Sequence, residues 1–371
     1  MGGVIRSWRW PVVVGSALTI AAVPLVLRVL PVGGEHDDAA ALLQRIVAAR
    51  GAAYSGYAES TGALALPVGD EFNDVSTLLG GRTELRVWWR DDDEWRVDTL
   101  DPGGERSLRV SPSGSWSWDF EDNRATRAAD APAGTVRLPR ADDGLPPALA
   151  ARLLGGATGA QASMLAARRV AGRAADGLRI RPQDPQSSID RVDVWADRES
   201  GIPVSVEVYG RGESRAAMST TFLDFAPGRP PEAAISFTPP PSARVRISSR
   251  FDLVDAIARF SPAQPPDVLR GYPRQDPLAG TRGVGLYGSG VTQLAVAGLP
   301  GRRARSLDQQ LQLAAGSHAV PAGTAVDVGP LALLLTRPDR SGIQWLLTGT
   351  MTPLGLSEAA DELLHGQGAP S

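Results

Sequence analysis

Apolar and polar side chains alternate, residue by residue, along much of the chain between residues 54 and 225. The clearest example is residues 115–120, where Trp116, Trp118 and Phe120 are separated by a serine and an aspartate. A period of two places alternate side chains on opposite faces of an extended strand, whereas a helix needs apolar residues three or four apart. This part of the chain therefore folds as a sheet with one strongly apolar face.

Turn residues divide the alternating region into short strands, which is typical of an antiparallel meander. Turn signals include residues 175–177 and 198–201. Two helices are predicted, at 39–50 and at 145–155, the second with prolines at its start and a glycine at its end. Strands are predicted at 54–66, 82–90, 94–100, 106–110, 115–120, 125–128, 135–139, 167–172, 178–182, 191–196, 203–209 and 217–225.

The length of 371 residues exceeds what one hydrophobic core usually fills and indicates about two domains. Proline cannot continue the interior of a sheet, so the proline-rich tract at 227–241 predicts the end of the first domain. A helix is expected at 251–260, and the last hundred residues show fewer strands and a closing helix at 354–364. We predict a mainly β chain with α elements (α+β), divided into 1–34, 35–245, 246–270 and 271–371.

Residues 11–27 form an apolar run preceded by Arg6 and Arg9. Four further apolar residues follow Arg28, so the run reaches about the 20 residues of a spanning helix if Arg28 extends toward the surface. The positive-inside rule then keeps the N-terminus in the cytoplasm. We predict an uncleaved, single-pass anchor in the plasma membrane with an extracytoplasmic body. A cleavable secretory signal is the alternative, and it exports the same body.

The composition argues against several functions. The net charge of −3 does not indicate the positively charged surface that binds nucleic acid. The chain has no cysteine, which excludes disulfides, thiolate metal sites and a cysteine nucleophile. His36, His318 and His365 are far apart and have no partner at metal-ligand spacing. We therefore predict no enzyme activity, no cofactor and no metal site.

Several short motifs resemble the RseB/MucB and LolA lipoprotein-carrier superfamily, in its actinobacterial membrane-anchored branch. In the first domain they are residues 53–58, 87–90, 95–98, 118–120, 189–197, 201–209 and 236–241. In the last hundred residues they are 286–290 and 346–350, which resemble the small C-terminal domain of the RseB/MucB type.

The resemblance implies a half-open antiparallel β-barrel, wrapped on helices, whose concave apolar face accommodates acyl chains. In that superfamily one branch ferries lipoproteins, and another senses lipid or misplaced envelope components and binds an anti-sigma factor. A membrane-anchored chain cannot diffuse as a shuttle does, so the resemblance favours a tethered sensor, adaptor or acceptor.

The predicted strands supply twelve candidates for the lining of a lipid groove. Alternation assigns each side chain to a face but does not say whether protein or ligand covers that face, so packing under the helices is the competing interpretation. The candidates are Leu85, Val87, Trp89, Trp95, Trp116, Trp118, Phe120, Val192, Val194, Val204, Val206 and Val208. Arg302, Arg303 and Arg305 are candidates for contact with lipid headgroups or an acidic partner, in what we predict to be a loop.

Two hypotheses about function follow. The first is a membrane-tethered, extracytoplasmic binding protein that acts as an envelope sensor or adaptor through an apolar groove for lipid or acylated peptide. The second is a purely protein–protein regulatory module, acting on an anti-sigma factor or a membrane transporter, with no lipid ligand. A continuous inner cavity would favour the first, whereas a packed groove with an exposed apolar patch elsewhere would favour the second.

Overall fold

β-Structure accounts for 48% of the chain, as the alternation predicts, and the sheets are open rather than closed into a barrel. The fold is therefore α+β, and its helices are few. In this computed structural model the described residues are 38–63, 80–101, 103–128, 139–248, 261, 263–275 and 283–366. The predicted anchor at 1–34, the predicted helix at 251–260 and nearly all of the predicted strand at 135–139 lie outside them.

The N-terminal lobe, residues 38–248, is built on one twelve-stranded sheet. Its order is β12-β6-β5-β4-β3-β2-β1-β11-β10-β9-β8-β7, so β12 and β7 are the two ends. All neighbours are antiparallel except β12, which runs parallel to β6. The strands are β1 (Tyr54–Gly62), β2 (Arg82–Asp91), β3 (Glu94–Asp101), β4 (Gly104–Ser111), β5 (Gly114–Asp119), β6 (Arg124–Ala128), β7 (Ala162–Val170), β8 (Arg173–Ile180), β9 (Ile189–Asp197), β10 (Pro203–Gly210), β11 (Met218–Pro227) and β12 (Arg244–Ser248).

Two helices cover one face of this sheet. Helix α1 (Ala39–Ala48) begins at Asp38, whose carboxylate accepts a hydrogen bond from the Ala41 amide at 2.7 Å. Helix α2 (Pro146–Leu153) begins with two prolines, which lack the amide hydrogen that a first turn leaves unpaired. Both helices pack their apolar side chains into the same core as strands β8, β9 and β10.

One predicted turn is wrong. Residues 175–177 lie inside β8, and the chain turns instead at Ala171 and Gly172, with φ of 48° and 77°. Positive φ at both central residues is the geometry of the tight hairpin turn. Gly177 is needed for a different reason, because a Cβ at this position would lie 2.9 Å from the indole nitrogen of Trp195.

The C-terminal lobe, residues 261–366, has a six-stranded antiparallel sheet of order β15-β16-β20-β19-β18-β17 and a separate short pair, β13-β14. Helix α4 packs on β19 and β20 around the fully buried Trp345. The elements are β13 (Val268–Leu269), β14 (Tyr272–Pro273), β15 (Val284–Ser289), β16 (Thr292–Leu299), α3 (Gly301–Leu313), β17 (Ser317–Val320), β18 (Gly323–Val328), β19 (Leu331–Thr336), β20 (Gln344–Gly349) and α4 (Pro353–Gly366).

The two lobes share backbone hydrogen bonds and core side chains. The Ser188 amide donates to the Thr350 carbonyl at 3.0 Å, and the Thr352 amide donates to the Gln186 carbonyl at 2.8 Å. Val291, in the turn between β15 and β16, packs into the N-terminal core together with α1 and α2. Ala217 does the reverse and packs into a cluster of the C-terminal lobe. Each lobe therefore completes part of the core of the other.

No helix within the described ranges is both long enough and apolar enough to cross a membrane.

Candidate functional site

The hydrogen-bond registers divide the side chains of the large sheet between two faces. Val206 lies opposite Val194, and Val87 lies opposite Val97, so these apolar residues share one face. Helices α1 and α2 pack on that face, which we call the inner face. The other side of the sheet is the outer face.

Nine of the predicted groove residues lie on the inner face, and all of them except the half-buried Trp89 are buried. They are Leu85, Val87, Trp89, Trp95, Val192, Val194, Val204, Val206 and Val208. Most of the strand side chains in this set contact the helices or one another in two continuous clusters. In the part of the chain that the structure describes, the inner face is thus covered by protein.

One cavity of about 80 Å³ lies between α1, α2 and the strands. Its wall includes Tyr54 and Trp89, whose rings stack 6.0 Å apart, and Trp95 continues the stack at 5.2 Å. Burial raises the pKa of the Tyr54 hydroxyl well above its usual range, so this group stays neutral. A cavity that accepts benzene in another protein measures about 150 Å³. The space present here is too small for an acyl chain.

The prediction that all twelve candidates share one face is wrong for Trp116, Trp118 and Phe120. Trp116 lies opposite Arg109 and Trp118 lies opposite Ser107, which places both tryptophans on the outer face. Phe120 follows the end of β5 and packs its ring edge against Trp118 at 6.1 Å. The aromatic segment that dominates the sequence therefore faces away from the helices.

Five outer-face side chains form a row across strands β2 to β6. Trp88 pairs with Arg96, Arg96 with Arg109, Arg109 with Trp116, and Trp116 with Arg127. The Arg96 guanidinium lies 4.6 Å from the ring centre of Trp88, and that of Arg127 lies 5.8 Å from Trp116. Such cation–π contacts hold arginine side chains flat against aromatic faces. We call this set the Trp–Arg row.

The proline-rich tract crosses this row. Residues 228–243, which we call the strap, run from the end of β11 to the start of β12 across the outer face of β2 to β6. Arg90 donates to the Pro230 carbonyl at 3.0 Å, and Arg96 donates to the Ala234 carbonyl at 3.3 Å.

Further along the strap, Arg109 donates to the Ser236 carbonyl at 2.9 Å, and Asn123 donates to the Ser242 carbonyl at 2.8 Å. Phe237 inserts its ring between Trp116 and Trp118, 5.7 Å from each, with the Arg109 guanidinium at 4.5 Å. Trp118 is only 8% exposed although it lies on the outer face. The strap is therefore what covers it.

Charge along the row is only partly neutralised. Arg96 makes two hydrogen bonds of 2.7 and 2.6 Å to the buried Asp98 carboxylate. No carboxylate of the described residues lies within ion-pair distance of Arg109. Burial, and then the charge of Arg96, lower the pKa of Arg109 to about 10, although Asp98 and Glu105 oppose this effect. The Arg109 side chain also donates to the Ser107 hydroxyl at 3.0 Å. Arg109 is thus a cation whose partners are the Ser236 carbonyl, this hydroxyl and the Phe237 ring.

An open cleft of about 460 Å³ adjoins the strap. Phe120, which is 64% exposed, forms part of its wall. Other lining residues are Arg96, Arg109, Trp118, Phe237 and Pro240. Aromatic rings, a proline and arginines therefore meet at one accessible place on the outer face.

Arg302, Arg303 and Arg305 lie in the first turns of helix α3, which replaces the predicted loop. All three side chains are exposed. Positive charge near the first turn of a helix is unfavourable to the helix dipole, so the dipole does not explain the position of these arginines. They lie in the C-terminal lobe and are no part of the Trp–Arg row.

Comparison with protein-family models and with curated proteins finds no match. Among solved structures, the chain is similar to a MucA/MucB complex of Pseudomonas aeruginosa, with 17% identity, 87% of this chain and 96% of that chain covered, and a TM-score of 0.48. It is also similar to a LolA superfamily protein from Nitrosomonas europaea, with 11% identity, 54% and 99% coverage and a TM-score of 0.23. MucB and this LolA superfamily protein are members of the superfamily that the sequence motifs resemble. The assignment to the actinobacterial branch stays a prediction from the sequence.

Proposed function

We propose that this chain is a non-catalytic, extracytoplasmic regulatory protein that acts by contact with a protein partner. The observation that carries the proposal is the packed inner face, because the apolar surface expected to hold lipid already holds α1, α2 and Val291. The accessible aromatic surface lies on the outer face instead. An anti-sigma factor and a membrane transporter are the two partner classes that we retain.

Binding of lipid or acylated peptide to the inner face is the second candidate. The cavity under α1 and α2 marks where an acyl chain would enter, but the cavity must enlarge to hold one. An acyl chain would have to displace Leu42, Leu43 and Ile46, whose burial contributes about 1.5–3 kcal/mol each, or about 5–9 kcal/mol together. Ten buried methylenes would return about 8 kcal/mol. The two totals are similar, so an acyl chain that replaced these three side chains would gain little net free energy.

Native mass spectrometry with lipid extraction separates the two candidates. Residues 36–371 are exported behind a cleavable signal, purified without detergent, and then offered a palmitoylated peptide. We expect an empty protein that refuses the added lipid. A stoichiometric co-purifying lipid would overturn the proposal in favour of the inner groove. In that case Ala148→Trp, which fills the cavity, would reduce loading, and Ala319→Trp at an exposed site of the C-terminal lobe would not.

The membrane tether is a separate part of the proposal and is supported by the apolar run at 11–27 with its flanking arginines. We expect the full chain in the membrane fraction, with its body digested by protease added outside intact spheroplasts. Replacement of residues 1–34 by a cleavable signal should release the body into the soluble fraction. A body protected in intact spheroplasts would contradict this orientation.

A further inference from the structure

The strap is held in the manner of a bound peptide. The side chains of Arg90, Arg96, Arg109 and Asn123 donate to its main-chain carbonyls, which every amino acid offers. Phe237 supplies the side-chain anchor in the cradle of Trp116 and Trp118. The site thus binds main-chain carbonyls at several points and an aromatic ring at one point. The strap forms a short 3-10 helix at Glu232–Ala234 and is free of helix and turn from residue 236 to residue 240, around the Phe237 anchor.

The chemistry next to Phe237 narrows the kind of peptide. Thr238 is followed by Pro239, Pro240 and Pro241, and Pro240 lines the open cleft with the ring of Phe120. Grooves lined by aromatic rings bind proline-rich segments because such segments are already extended and lose little entropy on binding. A proline of the strap and an exposed aromatic ring therefore line the same cleft, which matches the chemistry of a proline-binding groove.

The fit between groove and strap is incomplete. The cleft beside the strap remains open, and Phe120 keeps most of its surface in solvent. Most strap residues are exposed, and only Pro230 and Ile235 among them are buried. A competing segment could thus contact Phe120 before the strap leaves the Trp–Arg row.

We propose that the Trp–Arg row and its cleft are a docking site for an extended, proline-rich segment of the protein partner, with an aromatic residue two positions before the first proline. The strap is an internal competitor that occupies this site until the partner arrives. The inference rests on the proposed protein-contact function and names the partner's chemistry. A tethered competitor acts at an effective concentration in the millimolar range, so it lowers the apparent affinity for the partner segment.

The probe is a fluorescein-labelled synthetic peptide with the sequence of residues 229–243, added to the full-length chain in nanodiscs and followed by anisotropy. Phe237→Ala in the chain removes the anchor of the strap, and we expect at least tenfold tighter binding of the peptide. A peptide carrying alanine at its phenylalanine should bind at least tenfold more weakly. Arg109→Gln in the Phe237→Ala background should reduce binding, whereas Arg86→Gln, an exposed outer-face control away from the strap, should not.

Hydrogen exchange gives a second measurement that does not depend on the variants. Saturating peptide should accelerate exchange across residues 232–243 of the wild-type chain. Peptide affinity that is equal for wild type and Phe237→Ala, together with unchanged exchange, would show that the strap is a permanent part of the fold and would overturn the inference.

The two proposals fail in different ways. Lipid found by mass spectrometry would contradict the proposed protein-contact function but would not change the result of the peptide assay. A peptide that binds neither the wild-type chain nor any variant would contradict the outer-face docking site. It would not affect the result of the lipid experiment.

Discussion

Replacement of Val291 by alanine tests whether the two lobes form one cooperative unit. Val291 belongs to the C-terminal lobe, but it is 7% exposed and packs in the N-terminal core. The substitution removes two methyl groups worth about 0.8 kcal/mol each, and the space left behind adds to the loss. We expect the free energy of unfolding to fall by about 2 kcal/mol, because the neighbouring helices and strands refill that space only in part.

The assay is urea unfolding followed by tryptophan fluorescence and, separately, by hydrogen exchange in α1 and α2. Val268→Ala is the matched control, since Val268 is 53% exposed and should change the free energy of unfolding by less than about 0.5 kcal/mol. Faster hydrogen exchange in α1 and α2 of the Val291→Ala protein would show that the turn between β15 and β16 stabilises the N-terminal lobe. Equal stability of the two variants would refute the reasoning.

Three further predictions concern individual side chains. Asp38→Ala removes the cap of α1 and should lower the free energy of unfolding by about 1 kcal/mol, as measured by urea titration. Burial alone would raise the pKa of Asp197, but hydrogen bonds from Arg173 and Ser200 together hold it below its usual value. The stability that Asp197 contributes is therefore present above pH of about 4 and is lost as pH falls through the lowered pKa. Arg173→Gln should make acid unfolding begin at higher pH, and an unchanged acid midpoint would contradict this. Trp118→Asp should free the strap and speed its proteolysis without altering α1 exchange.

Alternation along the chain predicted the strands well because it depends only on neighbouring residues. The predicted strands at 191–196 and 203–209 lie within β9 and β10, and their valines face the helices as expected. The helix beginning at Ala39 was predicted for the same reason, since its apolar side chains repeat at helical spacing. Local periodicity was sufficient for these elements.

The face of the Trp116 and Trp118 strand required information from its partner strand. Alternation sets the faces within one strand, and the pairing register decides which face continues into the next. Only two residues separate β4 from β5, so Ser111 lies opposite Gly114 and Trp116 lies opposite Arg109. Counting back from this turn would have placed Trp116 opposite Arg109 and Trp118 opposite Ser107, on the face away from Leu108.

The path of the strap could not be inferred from local sequence. Its prolines correctly indicate that the antiparallel strands end, but they do not show where the chain goes next. The strap contacts residues about 120 to 140 positions earlier in the chain, such as Arg90 and Asn123. Contacts at this separation depend on the assembled sheet. Helix α3 was missed because its residues are mostly polar and begin with a glycine and two arginines.

The position of β1 between β2 and β11 has a consequence for the order in which the chain folds. β2 follows β1 closely, but β11 is synthesised more than 150 residues later. Until then one edge of β1 is open, and open edges recruit strands of other chains. β1 carries Gly56, the charged Glu59 and a register shift between Tyr57 and Ala58. Charged residues and bulges disfavour edge-to-edge pairing, so we expect β1 to recruit foreign strands poorly before β11 has been synthesised.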